Sequence, residues 1–217
     1  SDISRYDREE YEGYRRVNAH IADLMVPHLR EDDRIWVQDY QLFPLASELR
    51  KRGVTARIGF FLHIPFPGPA ECAALPNPAE LLDWMSEYDL LGFQTERDKL
   101  NFLESARQLG DIEKLDGDAL RLSGRVLRAQ VFPIGIDTAA FIADARNARE
   151  EDRMRSLTGS KMMIGVDRLD YSKGIPQRFR AFQLLLETNP DLIEKVAFLQ
   201  IAPPTREEVS AYRDIRE

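Results

Sequence analysis

Short apolar runs alternate along this chain with longer stretches in which apolar side chains recur at helical spacing. The runs at 35–38, 57–62, 90–93, 127–132, 162–166 and 196–201 have strand length, and several are hydrophobic throughout, as strands covered on both faces are. Between them the spacing predicts helices. Pro44 opens one that closes on Arg50-Lys51-Arg52 and stops at Gly53, where cations suit the carbonyl end and glycine suits the left-handed exit. Thr95 with Asp98, and Thr205 with Glu208, have capping-box spacing. Pro176, Phe179, Phe182, Leu185 and Leu186 lie on one face of a further helix directly after the run 162–166, which reads as a buried parallel strand. Residues 113–128, with Asp116-Gly117-Asp118 between alternating positions, read as a small hairpin insertion. Strand and helix in alternation with short connections is the signature of βαβ units, so the fold class is α/β with mostly parallel sheets.

After Val131-Phe132-Pro133-Ile134-Gly135-Ile136 the chain turns polar, and the stretch from Asp144 to Arg155 holds no strand. This places a domain crossover near 134–140. The charge run itself reads as a solvated helix face.

Composition narrows the partners more than the fold. Of 217 residues 43% are hydrophobic, enough for a buried core, and a formal charge of -7 offers no general surface to nucleic acid. An anionic ligand therefore needs a local basic pocket. No apolar run has the length of a membrane span and no secretory leader is visible, so a soluble, cytoplasmic protein is expected. The chain opens at Ser1 rather than Met and stops at Glu217 inside the helical pattern that Thr205 begins, so it reads as an excised piece. The single Cys72 excludes an internal disulfide and, with no base evident, is read as inert. His20, His28 and His63 lack ligand spacing, so no metal is expected, and the absence of Gly-rich phosphate loops and of a Gly-x-Ser-x-Gly elbow disfavours a serine hydrolase.

Three polar clusters fall at strand ends, where α/β proteins assemble their sites. Gln38-Asp39-Tyr40-Gln41 follows Trp36-Val37; Asp39 is placed either to accept hydrogen bonds from sugar hydroxyls or to cap the helix at Pro44. His63 follows Phe60-Phe61-Leu62 and precedes Ile64-Pro65-Phe66-Pro67, whose prolines hold the loop extended; it is either a structural donor or a ligand contact. Arg168 and Lys173 bracket the turn between strand 162–166 and the helix at Pro176. A guanidinium fork and an ammonium at a helix N-terminus suit a diphosphate, though two cations near a turn are often only solvated.

Trp36 to Leu42, Ile58 to Pro67, Asp89 to Thr95 and Val166 to Gly174, with Gln200-Ile201-Ala202-Pro203 and Thr205-Arg206, together resemble the trehalose-6-phosphate synthase family of retaining glycosyltransferases, family 20. The likeness spans about Tyr14 to Glu217. It implies a fold of the GT-B type, two Rossmann-like domains facing each other, of which this chain is an incomplete central fragment. The activity implied is transfer of glucose from a nucleoside-diphosphate glucose, UDP-glucose or another, to glucose 6-phosphate with retention, giving α,α-trehalose 6-phosphate. The resemblance implies that Arg168 and Lys173 bind the diphosphate and, with His63, form the catalytic set. His63 and Ile64 meet the donor glucose, Ile201 lies by the base through backbone groups, and Asp39 and Arg206 hold the acceptor. It implies no metal, no cofactor, no membrane or nucleic-acid partner, and a parent protein that can be a homo-oligomer. Many relatives read His-Asp-Tyr-His where this chain has Gln38-Asp39-Tyr40-Gln41; glutamine keeps donor and acceptor without a charge change. The family's N-terminal glycine loop, its early Arg, Tyr and Trp and its late acidic ribose contact are not in this sequence, so the fragment alone is expected to be inactive. The competing readings are a relative with another acceptor, such as glucosylglycerol-phosphate synthase or an aminocyclitol-coupling pseudoglycosyltransferase, and a non-catalytic sugar-phosphate sensor.

Overall fold

Each apolar run of the first half becomes a strand. The computed structural model describes residues 6–147 and 161–204, and the chain separates into two compact units at Gly135 and Ile136. In the first unit β1 (Arg34–Gln38), β2 (Arg57–Phe61), β3 (Leu90–Phe93), β4 (Ile112–Lys114), β5 (Ala119–Leu122) and β6 (Arg125–Val131) form a six-stranded sheet of order β1-β2-β3-β6-β5-β4. The first four in that order are parallel, and β5 and β4 extend the sheet antiparallel. The hairpin expected around Gly117 is present. A second tight turn, Ser123-Gly124 with φ of 48° and 79°, separates β5 from β6, as a two-residue turn of mirror-image type requires.

Helices α1 (Arg8–Met25), α2 (Leu45–Lys51), α3 (Pro69–Ala73), α4 (Pro78–Ser86) and α5 (Glu96–Leu109) complete the unit. Asp7 caps α1 by accepting from the amides of Glu9 and Glu10 at 2.7 and 3.2 Å. Gly53, at φ 81°, ends α2 with its amide on Arg50 O and Val54's on Leu49 O, the left-handed exit expected. Thr95 caps α5 by accepting from the Asp98 amide at 3.2 Å. The core gathers Ile35, Val37, Ile58, Phe60, Leu91, Phe93, Leu127 and Ala129 from alternate strand positions with Leu49, Met85 and Phe102 from the helices. Burial on both faces, expected of several of these strands, is found at β3, where Leu91, Gly92 and Phe93 are buried in succession, but not across the rest of the sheet. The intervening positions Arg34, Trp36, Arg57, Val126 and Arg128 are exposed, Trp36 at 51%, because no described helix packs on that face.

The second unit holds α6 (Thr138–Asn147), then β7 (Lys161–Val166) and β8 (Val196–Ile201) paired in parallel, with α7 (Ile175–Thr188) between them. The amphipathic face expected of α7 seats Phe179 and Phe182 against Phe198 at ring distances of 5.4 and 5.7 Å. β7 was expected to be buried and is largely exposed, Ile164 at 58%, since β8 is its one strand neighbour among the described residues. Most of the charge run 144–155 and the Thr205 cap lie outside the described residues.

Candidate functional site

Parallel pairing of β1 with β2, Gln38 opposite Phe61, brings two of the three polar clusters to one carboxyl edge. The amide of Asp39 donates to Phe61 O at 2.8 Å, which carries the pairing one residue past the strand. Asp39 then takes φ 70° and ψ 164°, a conformation essentially reserved for glycine that costs about 1–3 kcal/mol in other residues. Its side chain caps nothing, so the capping alternative fails. Its Oδ1 is buried with no hydrogen-bond partner. A strained backbone and an unsatisfied buried carboxylate oxygen are thus two costs to stability borne by one residue.

The strain is held by side chains that the sequence reading missed. The Tyr14 hydroxyl donates to Tyr40 O at 2.7 Å, Asn18 Nδ2 to Gln41 O at 3.1 Å, and the Tyr88 hydroxyl to Leu42 O at 2.7 Å. Burial pushes both tyrosine phenols well above their usual range, so they stay protonated and keep donating. Three carbonyls in succession after Asp39 are thereby fixed from α1 and from the connection that precedes β3.

His63 leaves β2 beside this turn. Its Nε2 lies 2.8 Å from Gln38 Oε1; with the amide oxygen accepting, the imidazole proton sits on Nε2 and Nδ1 stays an acceptor toward solvent. The ring stands edge-on to Phe61 at 4.9 Å, and Phe61 in turn lies over Gly92, where an added Cβ would meet its ring at 2.7 Å. Ile64 is 45% exposed beside it. The loop is anchored by Phe66, buried against Phe93 and Phe102. The Phe66 amide donates to Asp98 Oδ1 at 3.3 Å, and its carbonyl accepts from Asn101 Nδ2 at 2.9 Å. The prolines stiffen the loop, and Phe66 bolts it to the core.

In the second unit Arg168 and Lys173 do bracket the β7–α7 connection, as read from the sequence. Residues 171–173 form a short 3₁₀ turn ended by Gly174 in the left-handed region, φ 63°, which is also the residue that precedes α7. Asp170 accepts from the Ser172 amide and hydroxyl, both at 2.9 Å. No side chain caps α7, so its first amides stay available. Among the described residues neither Arg168 nor Lys173 is paired with a carboxylate, and both are exposed. Ile201 ends β8 with its carbonyl already accepting from Asp167 N at 3.0 Å and Gln200 Nε2 at 3.1 Å, while its side chain is 44% exposed. An open cavity of about 460 Å³ lies alongside, lined by Leu169, Ile175, Phe179 and Gln200 among others. Arg206 lies outside the described residues.

Away from these edges, burial pushes the Cys72 thiol up, in keeping with an inert cysteine. The described residues contain no group of three or more His, Cys, Asp or Glu side chains placed to hold a metal, and no helix long and apolar enough to cross a membrane.

Two α/β units that each gather polar residues at strand carboxyl edges, one around a carboxylate and a histidine and one around two cations at an uncapped helix, have the layout in which open α/β proteins bind their ligands. The model of glycosyltransferase family 20 matches residues 1–217, and the chain belongs to that family. It is 46% identical to the trehalose-6-phosphate synthase of Enterobacter sp. (strain 638), over 99% of this chain and 46% of that protein. A solved structure from E. coli bound with UDP-2-fluoro glucose superposes with a TM-score of 0.88 at 44% identity, over 99% of this chain and 48% of that one. An α,α-trehalose-phosphate synthase (UDP-forming) from Burkholderia xenovorans in complex with glucose-6-phosphate gives 0.87 and 46%, over 99% and 49%. The α/β fold of GT-B type read from the sequence agrees with these matches, and the chain spans about half the length of the relatives it matches.

Proposed function

We propose that the protein containing this chain transfers glucose from a nucleoside-diphosphate glucose, UDP-glucose first, to the anomeric hydroxyl of glucose 6-phosphate with retention, yielding α,α-trehalose 6-phosphate. The observation that carries the reading is Asp39. A carboxylate forced into a glycine conformation, with one oxygen buried and unpartnered beside His63, is suited to accept from sugar hydroxyls. The names of the relatives supply the sugars.

In this reading Asp39 holds the acceptor's hydroxyls and Arg206 its phosphate. His63, fixed by Gln38 with Nδ1 outward, accepts from a hydroxyl of the donor glucose, and Ile64 shapes that pocket. Arg168, Lys173 and the open amides of α7 take the diphosphate, and Ile201 flanks the base, through its side chain rather than the backbone contact expected, because its carbonyl is engaged by Asp167 N and Gln200 Nε2. As the glycosidic bond breaks, negative charge grows on the diphosphate. Preaimed cations stabilise it by about 3 kcal/mol per well-placed group. No carboxylate nucleophile is assigned on the donor face; the departing phosphate takes the acceptor's proton on the same face, which retains configuration. The reading calls for no resident metal or cofactor. A cytoplasmic location and the division into an acceptor-side domain, 1–136, and a nucleotide-sugar domain, 137–217, belong to the same proposal.

The test is nucleotide release by the full-length protein offered each nucleoside-diphosphate glucose with and without glucose 6-phosphate. Release that depends on glucose 6-phosphate is expected. Release only with glycerol 3-phosphate or an aminocyclitol phosphate, or ligand-dependent melting with no release, would replace the reading with a different acceptor or with a sensor.

A further inference from the structure

Lys173 stands on a turn of three residues, too short to hold itself, and one side chain holds it from the far side. Arg178, one turn into α7, sends Nη2 back to the Lys173 carbonyl at 3.1 Å. Its Nη1 lies 2.5 Å from Asp167 Oδ2 and 3.3 Å from Gln200 Oε1. One planar guanidinium thus ties the residue that follows β7, the cation-bearing turn and the end of β8. The strand ends are also joined through backbone, Asp167 N to Ile201 O at 3.0 Å and Leu169 N to Pro203 O at 2.9 Å, so the turn is braced on a fixed edge. The space around the brace is filled: a Cβ at Gly165 would come within 2.2 Å of Gln200 Oε1 and 3.2 Å of Arg178 Nη1, so a side chain there would push Gln200 out of the brace.

The charges matter as much as the bonds. Asp167 immediately precedes Arg168, and its carboxylate, if bare, would repel an arriving diphosphate and attract Arg168 and Lys173 away from it. The Arg178 ion pair removes that field. Lysine would neutralise Asp167 but, as a point charge without a fork, would not also hold the Lys173 carbonyl and Gln200 in fixed geometry.

We infer that Arg178 is a positioning residue for nucleoside-diphosphate binding: it screens Asp167 and fixes the turn that carries Lys173, without touching the ligand. The inference rests on the proposed diphosphate site and sharpens it, because it divides the effect of one residue into a charge part and a geometric part.

The experiment measures UDP binding by calorimetry, and donor and acceptor KM, for the full-length wild type and for Arg178→Ala, Arg178→Lys, Asp167→Asn and the double variant Arg178→Ala with Asp167→Asn. Loss of Arg178 is expected to weaken UDP binding about 30-fold, from one uncovered carboxylate and one loosened turn, with the KM for glucose 6-phosphate unchanged. Removing the Asp167 charge in the same protein should recover about ten-fold of that, and Arg178→Lys should fall between. Equal losses for both substrates, or a double variant no better than Arg178→Ala, would make Arg178 a folding residue only and overturn the inference. A wild type that binds UDP but transfers no glucose would overturn the proposed reaction while leaving Arg178 to be judged by the UDP affinities. A wild type that binds neither UDP nor GDP nor ADP would overturn both.

Discussion

Asp39→Gly in the full-length protein should make it more stable and nearly inactive. The wild-type backbone at φ 70° and ψ 164° costs about 1–3 kcal/mol for a residue with a Cβ. The buried Oδ1 without a partner costs about 1–3 kcal/mol more. Glycine removes both and gives back about 1 kcal/mol through the greater freedom of the unfolded chain. The net gain is about 3 kcal/mol, or on the order of 10 °C in melting temperature for a unit of this size. Asp39→Ala separates the two contributions, since it deletes the carboxylate but keeps a Cβ at positive φ, so it should melt below the glycine variant by about 1–2 kcal/mol. Thermal unfolding of the three proteins, with kcat/KM for glucose 6-phosphate measured beside it, provides the comparison. Both variants should lose about 30-fold or more in kcat/KM, the worth of charged hydrogen bonds to sugar hydroxyls. A glycine variant that melts below the wild type, or one that keeps wild-type kcat/KM, refutes the idea that this strand edge is strained for acceptor binding.

Lys173→Ala should lower turnover about 100-fold by removing one cation from the leaving diphosphate, which steady-state rates with saturating substrates will show. Gly92→Ala would press a methyl to 2.7 Å from the Phe61 ring and 3.2 Å from that of Phe132, so it should lower stability by about 1–3 kcal/mol and raise the donor KM through the displaced His63. Gln38→Leu leaves the His63 Nε2–H without its acceptor, and donor affinity should fall about five-fold, with thermal stability nearly unchanged because the pair is exposed. At high pH the Tyr11 phenol is informative: burial, then the hydrogen bond to Glu80, pushes it up to about 12, against an ordinary value near 10 in the unfolded chain. Between those values the folded form keeps its proton and the unfolded form has lost it, so stability should fall as pH rises from about 10 to 12. A Tyr11→Phe variant should flatten that part of a melting-temperature profile.

How far this molecule could be read from its sequence follows from how local each cause is. The strand ends at Gln38 and Val166, the Gly53 exit, the Thr95 cap and the Phe179 and Phe182 face all act within a few residues, and each is where the pattern placed it. The strained geometry of Asp39 was not legible. It is imposed by Tyr14, Asn18 and Tyr88, which act on carbonyls 26, 23 and 46 residues away and follow no period. The Asp7 cap and Asp-Arg-Glu-Glu opening of α1 were a readable signal that went unused. Arg178 looked like one more charge on an amphipathic helix, because its three partners come from the residue after β7, from β8 and from a turn. The expectation of strands buried on both faces held at Leu91 to Phe93 and failed where apolar character was taken as proof of cover: Ile164 and Trp36 belong to faces on which nothing described packs. Arg206 and the Thr205 cap lie outside the described residues, and their roles stay as proposed.

The central claim concerns a bond, and the most direct measurement is the structure of the product. The full-length protein should be incubated with UDP-glucose labelled with carbon-13 at the anomeric carbon and with unlabelled glucose 6-phosphate, and the product's anomeric signals recorded by NMR. The expected result is one disaccharide phosphate joined through both anomeric carbons, α at each, with UDP released in equal amount. Labelled free glucose beside unchanged glucose 6-phosphate, a β-configured product, or attachment at another hydroxyl would contradict it.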